Sequence, residues 1–172
     1  MRALVTLLAS LAFLVAACGG GGQSIGTRYD DPEGTYAFQV DPAWELQVGG
    51  VAQGIEVWFL GPAEAGFRPN VNVLTQAAPG LSLDQYAQVS IANAPQFISD
   101  FALVAQSQVD VPGGRLGILE YTGSYQGRQL HFLAYFGVRS DRAVVATLTA
   151  PPISFASWRG AIEPFMKTLS PK

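Results

Sequence analysis

From Tyr36 onward, apolar and polar residues alternate in short runs. Tyr36, Phe38 and Val40 are separated by Ala37 and Gln39, the period-two pattern of a half-buried strand. Asp30-Asp31-Pro32-Glu33-Gly34 before it and Asp41-Pro42-Ala43 after it are turn clusters. Trp44 to Val48 and Ile55 to Leu60 read as further strands, and Val71, Val73 and Thr75 alternate with asparagines and Leu74. The period changes at Ser82-Leu83-Asp84-Gln85, a capping-box signature, and Leu83, Tyr86, Ala87, Ile91 and Ala94 follow at helical spacing up to Pro95. Strand pattern returns over Ala102–Val111, Arg115–Gly123, Arg128–Val138 and Ala143–Ala150, with connections so short that neighbours must be antiparallel. The runs "HFLAYFGV" and "AVVATLTA" are apolar on both parities, so both sheet faces are expected to be covered. A closing helix over about Phe155 to Leu169 carries the stripe Phe155, Trp158, Ile162, Phe165 and Leu169, with Pro164 expected to kink it. The pattern predicts an α+β domain with a central antiparallel sheet flanked by helices.

The first thirty residues follow another rule. Met1-Arg2 is a short positive start, Ala3 to Val15 is apolar apart from Thr6 and Ser10, and Ala16-Ala17 are small. These are the parts of a secretory signal peptide, and the apolar run falls short of the roughly 20 residues a spanning helix needs. Leu14 followed by Val15-Ala16-Ala17-Cys18 resembles the lipobox of bacterial lipoproteins. That resemblance implies diacylglyceryl transfer to Cys18, cleavage before it, and a membrane anchored through Cys18 as the first partner. It divides the chain into a lipoprotein signal peptide at 1–17, a Gly-rich flexible tether at 18–28 and a folded domain at 29–172. Gly19 stands where aspartate would retain an enteric-type lipoprotein at the inner membrane. The implied location is therefore the periplasmic side of an outer membrane, or the outer face of the plasma membrane in a one-membrane cell.

Composition narrows the function classes. Of 172 residues, 49% are hydrophobic and 13% charged, enough for a large core. The net charge is −3, and loss of Arg2 with the leader makes it −4. The basic residues are scattered, so nucleic acid is not an expected partner. With the single cysteine acylated, no disulfide, thiolate nucleophile or cysteine metal site remains.

Few residues carry candidate chemistry. His131, the one histidine, would need an orienting carboxylate and a nucleophile to act as a base, and is expected instead to pack on the sheet beside tyrosines. Asp30, Asp31, Glu33 and Asp41 lack the spacing of a calcium loop, Glu45 and Glu56 are a conceivable acid–base pair, and "VPGGR" is a hairpin turn. No metal or other cofactor is expected. Trp44, Trp58, Phe67, Tyr121, Tyr125 and Tyr135 are the candidate binding surface: amphipathic rings that either fill the core or line a cleft between helix and sheet.

The succession "YAFQVDPAW", "RPNVNVLTQ", "LSLDQYAQ", "GGRLGILEYTG", "LHFLAYFGVRSDRAVVATLTA" and a final aromatic helix resembles the fold shared by PsbP, the Ran-binding nuclear import factor, DcrB and the mycobacterial LpqN-type lipoproteins. Pro112-Gly113-Gly114-Arg115 departs from the simpler tight turn expected at that point of the pattern. The resemblance implies a sheet flanked by helices and accessory, non-catalytic roles, with no catalytic residue to carry over. Three functions follow as expectations: a lipid-anchored accessory protein with a protein or envelope-component partner, a carrier of an apolar ligand in a sheet–helix cleft, and a hydrolase using His131. An apolar pocket would favour the carrier. A carboxylate and a hydroxyl converging on His131 would favour the hydrolase.

Overall fold

A computed structural model of the protein describes residues 27–48, 55–64 and 66–172. The expected leader, Cys18 and the tether up to residue 26 lie outside the described residues, as does Gly49-Gly50. The strands are β1 (Thr27–Asp30), β2 (Tyr36–Val40), β3 (Glu45–Val48), β4 (Val57–Leu60), β5 (Asn70–Ala77), β6 (Ser99–Val111), β7 (Gly114–Tyr125), β8 (Arg128–Arg139), β9 (Arg142–Ala150) and β10 (Ser170–Pro171). Helix α1 spans Leu83–Asn93, a 3-10 turn follows at Ala94–Gln96, and α2 spans Phe155–Met166.

Among the described residues all ladders are antiparallel, in two sheets. The larger has seven strands in the order β3-β4-β5-β9-β8-β7-β6, and the smaller has three in the order β1-β2-β10. Helix α2 packs over β2, β8 and β9, so that Phe38, Phe59, Leu133, Leu148, Ile162 and Met166 share the main core. Helix α1 covers the opposite face of the large sheet, where Tyr86 and Ala87 meet Leu119, Ala134 and Phe136. The two-parity apolar runs of β8 and β9 are thus covered on both faces, as the sequence pattern requires.

Several boundaries differ from the sequence reading. Thr27 and Arg28, expected in the tether, pair with Val40 and Gln39 and so belong to the small sheet. Trp44 closes the turn after β2, its amide bonding the Asp41 carbonyl, and β3 begins one residue later. Helix α2 runs through Pro164 for only two more residues, and Leu169 is buried beyond the helix end. The Pro112-Gly113 turn is a simple two-residue connection with Val111 opposite Gly114. The register breaks instead at the far end of β6, between Ser99 and Ala102 and between Leu103 and Ala105. Bulges of this kind re-aim side chains and interrupt an exposed edge.

The strand directions define two ends of the molecule. The turns Asp41–Trp44, Gly61–Pro69, Tyr125–Arg128 and Pro151–Ser154 lie at one end, and Ala77, Arg139–Arg142 and Val111–Gly114 at the other.

Candidate functional site

Each face of the large sheet carries one cluster. On the α2 face, Glu120 of β7 and His131 of β8 point toward the helix. His131 Nε2 lies 2.9 Å from Glu120 Oε1, and its ring lies flat on that of Phe155, with centroids 3.5 Å apart and planes 4° apart. The second oxygen of Glu120 accepts Arg159 Nη1 at 2.6 Å, and Arg159 Nε donates to Glu163 at 3.0 Å. Glu163 also accepts the Tyr135 hydroxyl at 2.8 Å and sits 3.2 Å from Lys167 Nζ. Partial burial pushes the Glu163 carboxyl up, but the bonds from Tyr135, Arg159 and Lys167 outweigh it and leave the group below its ordinary value. Burial, with Glu163 beside it, pushes the Tyr135 hydroxyl up.

This network supplies His131 with a carboxylate but with no hydroxyl or thiol partner among the described residues. Phe155 covers one face of the ring. The expected tyrosine neighbours are replaced by a phenylalanine, because the first turn of α2 crosses the sheet at this point. The arrangement fastens α2 to β7 and β8 through charge-assisted bonds, which are stronger than neutral ones. Most of the other candidate carboxylates also have partners, and Glu33 lies 3.9 Å from Arg142 in solvent. Glu45 pairs with Arg68 at one end of the β3–β4 hairpin, and Glu56 accepts from Thr75 at the other, so the two do not face each other. Asp30 is held by Arg28 and Lys172, Asp31 by Thr35, and Asp41 by the Ala43 amide. Among the described residues no cluster of three or more His, Cys, Asp or Glu could hold a metal.

On the α1 face there is a cavity. The helix leans over β7 and β8 and leaves the adjoining strip of β9 and β5 uncovered, since only Tyr86 and Ala87 of its eleven residues are buried. The open groove measures about 740 Å³. Its floor is Leu74, Val145, Thr147, Ala134 and Leu119, and its walls are Tyr86, Val89 and Ile91 on one side and Phe97, Phe101 and Tyr121 toward β6. The Tyr86 hydroxyl donates to Gln76 at one end. At the other end Phe101, Tyr121 and Phe132 form a row, the last two stacked at 4.8 Å and 13°. Burial pushes the Tyr121 hydroxyl up, keeping it protonated. Gln76, Ser90, Asn93 and Gln96 add neutral polar groups, and no lining side chain is charged. Such volume and lining suit a small apolar ligand, since pockets of roughly 300–1,000 Å³ with few polar groups are the usual form.

Of the six aromatics singled out by sequence, only Tyr121 lines this groove. Trp44 is buried against Trp158, edge to face at 5.8 Å, and Tyr135 is buried under α2. Trp58 lies on β4 opposite Asn72, its indole nitrogen buried without a partner. Phe67 bridges to Glu64 in the β4–β5 loop, and Tyr125 is exposed at the β7–β8 hairpin. Sequence reading passed over Val89, Phe97 and Phe101. The signal for them was the apolar pair Phe97-Ile98 after the helix-ending Pro95, in a segment that pattern alone treats as a connection.

With strand order, faces and groove established, comparison with solved structures is decisive for the architecture. The domain superposes on cyanobacterial PsbP, CyanoP, from Synechocystis sp. PCC 6803 with a TM-score of 0.63 at 20% identity, covering 91% of this chain and 98% of that one. The chain has the PsbP-like fold. A protein of unknown function from Pseudomonas aeruginosa, PA94, is similar at a TM-score of 0.61 and 23% identity, over 86% of this chain and 98% of its own. LpqN of Mycobacterium tuberculosis, described as involved in cell envelope biogenesis, is similar at 0.61 and 12% identity, over 84% of each chain. No protein-family model matches the sequence, and no curated protein matches it. At these identities the PsbP-like likeness concerns the fold, and function has to come from the site.

Proposed function

We propose that this PsbP-like domain is a lipid-anchored, extracytoplasmic accessory protein that holds an apolar molecule in the groove between α1 and the sheet and performs no chemistry on it. The uncharged groove of about 740 Å³ carries the reading, because a core that needed only stability would have closed over Leu74, Val145 and Thr147. The lipobox pattern ending at Cys18 supports the anchor, and the structural likeness to LpqN agrees with a place in the envelope. A second reading uses the same groove for a neutral apolar segment of a partner protein, and the exposure of Phe97 at the groove's end favours it.

The test is saturable binding of a neutral dye, Nile red, to the protein and its displacement by a long-chain alcohol. Val89→Lys places a cation on the rim, and Thr147→Phe fills the floor. Both should weaken binding about tenfold or more, as loss of one buried apolar contact does. Val89 is half exposed, so its variant folds even where the floor variant is strained. Absence of saturable binding to a folded protein, or binding by both variants as tight as by the wild type, contradicts the reading.

A further inference from the structure

Three apolar side chains stand out in solvent at one end of the molecule. Ile153 is 95% exposed in the Pro151–Ser154 turn, Phe97 is 72% exposed after the 3-10 turn, and Tyr125 is 45% exposed at the β7–β8 hairpin. The topology places them together. Ile153 follows Ala150, which pairs with His131, and the hairpin tip lies only a few residues beyond His131 on the same strand. Ile98, next to Phe97, packs over Gly123 near the base of that hairpin. The start of the described chain is at this end as well. Thr27 pairs with Val40, and the turn Asp41–Trp44 delivers the chain from Val40 directly to Glu45, opposite Leu60.

We propose that this end rests on the lipid bilayer, with Ile153, Phe97 and Tyr125 entering the headgroup–acyl boundary. The occupant follows from where the chain before Thr27 leads. Eight residues lie between Cys18 and Thr27, five of them glycine, and a Gly-rich chain of that length has a typical end-to-end distance of roughly 15–20 Å. An acyl group on Cys18 therefore holds this end, and not the end bearing the Arg139–Arg142 turn, close to the membrane. Apolar and amphipathic aromatic side chains are what such a boundary accommodates. Arg128, opposite Tyr125, and Asp100, beside Ser99, leave the tip with charges of both signs, so the contact is apolar and depends little on anionic lipid. One consequence joins this surface to the groove, which is lined at the same end by Phe97 and Ile98. That end of the groove then faces the bilayer, and a lipid acyl chain is the ligand nearest to hand. The inference rests on the Cys18 anchor, and the experiment separates the two.

The full chain is produced with a photoreactive benzoylphenylalanine at position 97, 153 or 141, returned to phosphatidylcholine vesicles and irradiated. Asp141, exposed in the Arg139–Arg142 turn at the opposite end, is the control. Cross-links to phospholipid are expected from 97 and 153, with 141 at background, and adding phosphatidylglycerol should change little. The mass of the N-terminal peptide from the same sample reports acylation of Cys18. Acylated protein with background cross-linking at 97 and 153, or with equal cross-linking at 141, overturns the docking surface and leaves the anchor standing. Unmodified Cys18 with cross-links at 97 and 153 overturns the anchor and leaves the surface standing. Unmodified Cys18 with background at all three positions overturns both.

Discussion

His131 shows how much a residue's role depends on what lies across the sheet from it. Its ring is stacked on Phe155 and its Nε2 is bonded to Glu120, whose side chain is 12% exposed and also holds Arg159. His131→Gln removes a ring and one bond while leaving Glu120 paired, so a loss of about 1–2 kcal/mol is expected, with dye binding unchanged. Glu120→Ala removes the acceptor of His131 and one of the two acceptors of Arg159 and should cost more, about 2–3 kcal/mol, because its bonds involve charged groups. Urea denaturation of the two variants gives the comparison. A hydrolytic rate in the wild-type protein that disappears in His131→Gln would instead make the histidine a catalytic base. The glycines illustrate the same dependence. A Cβ at Gly117 would lie 2.1 Å from the Phe136 ring, so the glycine is there to let a groove-side aromatic cross its strand. Nothing in the residues around Gly117 announces that approach, since Phe136 arrives from the neighbouring strand.

At the scale of elements, helix α1 was fully legible. Ser82 and Gln85 form both bonds of the capping box, and the helix begins at Leu83 and gives way to a 3-10 turn at Ala94, with Pro95 inside that turn. Capping is local chemistry, so four residues suffice to specify it. Helix α2 depends on its surroundings. It buries Phe155, Ile162, Phe165 and Met166 against β2, β8 and β9, and its charged groups bond the sheet at Glu120 and Tyr135. A chain ending at Ala150 would lose this helix together with β10, the third strand of the small sheet. The burial of four such side chains amounts to roughly 6–12 kcal/mol, comparable with the whole stability of a domain. The truncated chain is therefore expected to show no cooperative thermal transition by circular dichroism, and a cooperative one would contradict the packing described for α2.

The carboxylates of Asp30 and Glu163 have folded states that favour ionisation. Hydrogen bonds from Arg28 and Lys172 lower the Asp30 carboxyl to about 2, and Glu163 also lies below its ordinary value. A lowered folded value means that the stabilisation is complete above the ordinary carboxylate range near about 4 and is lost as pH falls through the folded values. The melting temperature should thus be nearly flat from neutrality to about pH 5 and decline below about pH 4, with the half-exposed Asp30 contributing little. Glu163→Gln should melt lower than wild type at neutral pH, and the gap should narrow in acid as the wild-type carboxylate protonates. A gap that widens in acid would reverse the sign assigned to Glu163.

The alternation of Tyr36, Phe38 and Val40, the short turns between β6 and β9, the capping box and the stripe of α2 were all readable in the sequence. Each is a statement about which residues turn away from water, and periodicity reports that directly. The same patterns predict a sheet without saying that β1, β2 and β10 leave it to form a second one. That partition joins Thr27 to Val40 and Ser170 to Ala37, pairings whose sequence separation no local period can encode. The aromatics follow the same division. Their residue type marks Trp44, Tyr121 and Tyr135 as buried or binding, but only the packing of α2 on one face and α1 on the other separates the core pair from the groove residue. The groove itself is a volume left between a short helix and five strands, and a space of that kind exists only once all of those elements are in place.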